Sequence, residues 1–230
     1  MKSGIIVSSA FSLLWSAAFG AYASDSTTKI RTTSGAAETV HVNVVPGPNA
    51  STGAKLCVVL AARKICYTAS VNGKAFPLKP EWKPISADGQ PEGPGYLLFT
   101  ALKEPFFSRQ DGHLALLVLD SGKGVLRNVL PPVVLSEQSE HSIWRANQIS
   151  MLPILTTAEF HWDMEHESHF GFHQYQVNTY VSDGVGNYAL KDTYLTKRQY
   201  SGLDDVPQVA VIEGEMNTIR ERLTEKKGVR

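Results

Sequence analysis

From Thr39 to Val45 the chain alternates, with Val40, Val42 and Val44 on one side and Thr39, His41 and Asn43 on the other. A period of two predicts a half-buried strand. Tyr96 to Leu102 and His113 to Asp120 are almost continuously apolar, which predicts central strands covered on both faces. Shorter strands are expected at Val125 to Leu130 and Val133 to Leu135, on either side of Pro131-Pro132. Ile154 to Met164, His173 to Ser182 and Tyr188 to Tyr200 predict a three-strand meander, and Val209 to Ile212 a further short strand. The period changes once: Met216, Ile219 and Leu223 share one face of a helix expected over Glu215 to Lys226. About ten strands with hairpin-length connections and one terminal helix predict a mainly β, antiparallel sandwich or meander, with a propeller-like arrangement as the alternative.

Residues 24–37 are rich in Ser, Thr, Ala and Gly and read as a flexible N-terminal segment, leaving 38–230 as a single β-rich domain. Asn72-Gly73 is a two-residue turn signal. Five prolines and three glycines between Phe76 and Gly95 predict a long irregular connection, because proline removes a ladder donor and fixes φ.

Cys57 and Cys66 are the only cysteines. If Val59 and Lys64 close a hairpin, every facing pair sums to the same number and Cys57 faces Cys66 directly. Facing residues of a non-hydrogen-bonded pair lie about 4.5 Å apart at Cα, near the lower end of disulfide reach. A structural staple is therefore expected. Two redox-active thiols would call for Cys-x-x-Cys at a helix start, and that motif is absent.

The first 23 residues carry the three parts of a secretory signal peptide: Lys2, an uncharged run from Gly4 to Gly20, and Ala21-Tyr22-Ala23 before Ser24. The mature chain is expected in the periplasm or outside the cell, with no later stretch apolar enough to span a bilayer. Charge is balanced at 22 bases and 22 acids over 230 residues, and the leader removes only Lys2. That balance lacks the basic field nucleic-acid binding requires, so no nucleic-acid partner is expected.

Four of the seven histidines, His161, His166, His169 and His173, crowd one hairpin with Asp163, Glu165 and Glu167. Zinc uses such ligands, but His166-Glu167-Ser168-His169 is not His-Glu-x-x-His. Apolar residues of the two strands face each other only when paired numbers sum to an odd value, for example Trp162 with Tyr175. His161 then points to solvent and His173 to the core side beside Met164, so only His166, His169 and His173 could meet at a metal. Phe170 and Phe172 beside Glu165, His166 and His169 have the composition of a contact surface.

A second tip, Ser182-Asp183-Gly184-Val185-Gly186-Asn187-Tyr188, has glycines that allow close approach but too few carboxylates for a calcium loop. It is loosely similar to the Ser-Gly…Tyr loop that secreted lysozyme inhibitors insert into the enzyme's cleft. Here Ser is not followed by Gly and the spacing to Tyr is longer, so the similarity implies an inhibitory loop and assigns no family. No serine elbow, Walker loop or dinucleotide fingerprint is present, and no cofactor is implied.

The function expected is therefore an exported, non-enzymatic β-protein that binds a protein or cell-envelope partner, as an inhibitor or immunity-type protein against a cell-wall or secreted enzyme. Glu165, His166, His169, Phe170, Phe172, Ser182, Asp183 and Tyr188 are the binding candidates. The alternative is a periplasmic metal-binding protein or metal-dependent hydrolase using the hairpin 161–173.

Overall fold

The computed structural model describes residues 25–46, 53–69, 78–90, 93–103, 112–135, 139–161, 172–184, 186–201 and 210–225. The expected leader, the Asn72-Gly73 turn and the histidine-rich stretch 162–171 lie outside them.

The fold is mainly β and largely antiparallel, as the alternation predicts. Its first sheet holds β1 (Asp25–Arg31), β2 (Ala37–Val45), β3 (Lys55–Leu60), β4 (Arg63–Thr68), β5 (Leu78–Ser86), β6 (Gly95–Lys103), β7 (Gly112–Asp120), β8 (Val125–Asn128) and β9 (Val133–Leu135). The order runs β4-β3-β2-β1-β6-β7-β8, with β5 also on β6 and β9 on β7. The sheet curls until β4 lies beside β8, so it forms a nearly closed barrel. A parallel contact of Ile30 with Gly95, and the Thr33 N–H donating to the Leu119 carbonyl at 2.9 Å, tie β1 to the wall it joins.

A second sheet, in the order β10-β11-β13-β14, is built from β10 (Glu140–Ala146), β11 (Ser150–Phe160), β13 (Tyr175–Ser182) and β14 (Tyr188–Leu195). β12 (Phe172–His173) pairs with β15 (Tyr200–Ser201), and α1 (Val211–Glu225) covers one face of the second sheet.

Alternation explains the layering. In β6 and β7, Leu97, Phe99, Leu117 and Leu119 fill the barrel with Ile30, Val42, Leu56 and Trp82. Tyr96, Leu98, Leu114, Leu116 and Val118 point the other way, onto Leu155, Tyr180 and Tyr188 of the second sheet. The two continuously apolar runs are thus one wall between two cores. A bulge at Lys191 puts Tyr188 on the barrel side and Tyr194 on the helix side, although both positions are even.

The β3–β4 hairpin has the expected register: Val59 faces Lys64 and Cys57 faces Cys66, with a disulfide at a Cα separation of 4.0 Å. Ala61 (φ 44°) and Ala62 (φ 67°) form its two-residue turn in the left-handed region.

Three expectations are corrected. Within the segment expected to be loose, all seven residues of β1 pair with β2. In the connection expected to be irregular, β5 pairs along its whole length with β6. Its prolines, Pro80 and Pro84, share a parity, so both ring nitrogens face the edge away from β6 and cost no ladder bond. Val211 and Ile212, expected in a strand, open α1 instead. Their N–H groups donate to the Glu140 carboxylate of β10 at 2.8 and 3.2 Å, which caps the helix from a distant strand.

Candidate functional site

The tip between β13 and β14 is exposed and internally braced. The Asp183 N–H donates to the Asn187 carbonyl at 2.8 Å. The Asn187 N–H and side-chain amide return bonds to the Asp183 carboxylate at 3.1 and 3.3 Å. The Gly184 N–H donates to Ser182 Oγ at 3.2 Å. Gly184 (φ +86°) and Gly186 (φ +98°) take backbone conformations that other residues resist, and neither has an atom within 4 Å of a would-be Cβ. The space around Gly184 and Gly186 is therefore open, while the bonds between Asp183 and Asn187 hold the two ends of the tip together.

Tyr188, expected as a contact, is 5 % exposed and belongs to the core. Its N–H donates to the Val129 carbonyl at 2.8 Å and its hydroxyl to the Pro153 carbonyl at 2.7 Å. Burial, then the neighbouring Tyr96, pushes its hydroxyl far above the ordinary tyrosine range. It anchors the tip to the core. Ser182 is half-buried and Asp183 exposed.

At the opposite end of the second sheet, Phe172 stands 70 % exposed while His173 is buried against the Phe160 ring, with centroids 4.3 Å apart. His161 is exposed. Those two orientations are the expected ones, but the register lies two residues from the example given: Phe160, not Trp162, faces Tyr175. The chain also breaks at Gln174, so His173 pairs with Tyr200 on β15 instead of continuing β13. Glu165, His166, His169 and Phe170 lie outside the described residues. Among the described residues no group of three or more His, Cys, Asp or Glu side chains is placed to hold a metal.

Two groups escaped the sequence reading. One is a polar row across the second sheet, His141-Thr157-Asn178-Thr193, in which each residue faces the next. Burial, then Lys83 of β5, pulls the His141 imidazole down to about 4, so it is neutral at physiological pH. The other is Tyr67 with His113 at the barrel, hydrogen-bonded at 2.8 Å and stacked. Burial holds the His113 imidazole below its ordinary value and raises the Tyr67 hydroxyl, against a lowering contribution from Asn128. Neither row places an acid, a base and a nucleophile together.

No known protein family, curated protein or solved structure matches this chain. The disulfide is present, and among the described residues no helix is long and apolar enough to cross a membrane.

Proposed function

We propose that this chain is exported and binds another macromolecule, a protein, through the 182–187 tip, acting as an inhibitor or immunity-type protein on a cell-wall or secreted enzyme. One observation carries the reading: the tip is exposed yet held by six hydrogen bonds of its own or its anchor, those of Asp183, Asn187 (two), Gly184 and Tyr188 (two). A loop ordered before it meets its partner loses little conformational freedom on binding, which is where much affinity is otherwise lost. The leader-like first 23 residues and the Cys57–Cys66 bond support delivery to an oxidising compartment.

The test uses mature, oxidised protein immobilised against extract of the envelope fraction, followed by an activity assay on any enzyme retained. Asp183→Lys with Asn187→Lys, or closing 183–187 to a two-residue turn, is expected to abolish retention without lowering the urea midpoint appreciably. A stable tip variant that retained the same partner equally well would overturn the reading.

A further inference from the structure

Arg31, Arg127 and Arg145 come from β1, β8 and β10, yet they gather at the barrel end nearest the 182–187 tip. Arg127 faces Val118, and Leu97 facing Leu117 puts Tyr96 beside Val118. Ile30 pairs with Gly95, so Arg31 falls next to Tyr96. Arg31, Tyr96, Val118 and Arg127 therefore form one row on the outer face of the wall, opposite the side taken by Ile30, Leu97, Leu117 and Leu126. Arg145 reaches that row from the second sheet: its Nη2 donates at 2.5 Å to the carbonyl of Ser86, which pairs with Gly95.

These guanidiniums are half-buried and incompletely bonded. Arg127 donates to Asn187 Oδ1 of the tip, and Arg145 has the Ser86 carbonyl with the exposed Asp88 carboxylate nearby. Arg31 makes no hydrogen bond or ion pair to a described residue. Each guanidinium has five N–H donors. Between them Tyr96 is 1 % exposed and its buried hydroxyl has no hydrogen-bond partner, with the Tyr188 ring centre 6.0 Å from its own. The Arg31 and Arg127 charges reach Tyr96, and those of Arg145 and Arg31 reach Tyr188.

We infer that Arg31, Arg127 and Arg145 receive carboxylate groups from an acidic segment of the protein partner. The inference rests on the reading of the tip as the contact surface and supplies that partner's chemistry. A carboxylate matches the planar guanidinium fork in a two-bond arrangement and would fill the donors now idle. A protein is favoured over a polyanionic polymer because the row is small, on a chain of balanced charge. Met151, 79 % exposed, stands two residues before Pro153, to which Tyr188 bonds. Arginine and methionine together are typical of protein interfaces.

The decisive measurement is a side-chain Nε–Hε NMR titration of the mature protein with a short oligoglutamate peptide, run in parallel with inorganic phosphate. Saturable shifts are expected at Arg31, Arg127 and Arg145. Arg31→Gln should weaken the peptide about tenfold, the size of one charged hydrogen-bonded contact, with Arg31→Lys between it and wild type. Lys123→Gln, at a lysine 80 % exposed beside Asp120, should change nothing. Unsaturable shifts, shifts spread evenly over surface cations, unchanged affinity in a folded Arg31→Gln, or tighter binding of phosphate than of peptide would each overturn the inference. Partner retention separates the two readings. If the tip variant loses the partner and the arginine variants keep it, the carboxylate receptor is wrong and the tip stands. If neither loses it, the contact surface itself is wrong.

Discussion

Inside the barrel, Leu56, Phe99, Leu117 and Leu119 bury one another in a cluster with no buried charge, its polar atoms being the Trp82 indole N–H and the Tyr67 hydroxyl that bonds His113. Under α1 the apolar contacts of Ile154, Val177, Ile219 and Leu223 are flanked by buried charge. Arg222 holds Asp192 through two bonds, at 2.6 and 3.1 Å, with its guanidinium 4.5 Å from the Tyr194 ring centre. Glu215 accepts the hydroxyls of Tyr194 and Tyr200 at 3.0 and 2.8 Å, while Glu140 closes the helix start. The difference teaches what each region is sensitive to. The barrel responds to lost volume; the helix seam responds to lost pairing, since a buried charge without its counterpart is costly whatever the packing.

The largest effect should come from Phe99→Ala, which empties the barrel centre and costs about 4 kcal/mol. The urea midpoint reads it, and the loss should be equal at pH 5 and pH 8. Arg222→Met should cost about 3 kcal/mol by stripping a carboxylate that is 3 % exposed of its guanidinium. Adding Asp192→Leu should restore most of that. A double variant as unstable as the single would show that the seam depends on shape, as the barrel does.

Acid should separate the layers further. The His141 imidazole is held near 4 in the fold by burial and Lys83, against about 6.5 when unfolded. Its neutral form supports the fold above pH 6.5, and that support is lost as pH falls through 4. The unfolded chain takes up the proton first, so stability should drop by about 3 kcal/mol across the window. His141→Asn should flatten the slope in pH-dependent urea melts; an unchanged slope would assign it to other groups, such as His113.

The smallest change is a gain. Ala61→Asn with Ala62→Gly suits two left-handed turn positions and should add about 1 kcal/mol, seen as a raised melting temperature.

How far the chain can be read without its fold follows from the same contrast. Alternation in Val40, Val42 and Val44, and the unbroken Leu/Val runs of β6 and β7, state their burial directly, because side-chain period is local. So does the hairpin that pairs Cys57 with Cys66. The β5 prolines misled because their harm depends on which way the ring nitrogen faces, a property of the sheet edge. Val211-Ile212 looked like strand because the group capping α1, Glu140, lies on another element. At the tip, Asp183, Gly184 and Gly186 read as an exposed turn, whereas the burial of Tyr188 is invisible in the sequence because nothing local announces Pro153 as its acceptor. The arginine row was illegible for the same reason: three strands far apart in sequence must first be laid side by side.

The strand pair β6–β7 belongs to both cores at once. Severing the polypeptide between β9 and β10 would not release two independent folding units. The N-terminal piece would carry Tyr96, Leu98, Leu114, Leu116 and Val118 as an uncovered oily stripe, and the C-terminal piece would lack the surface it rests on. Co-expressed halves should reassemble, and each alone should aggregate.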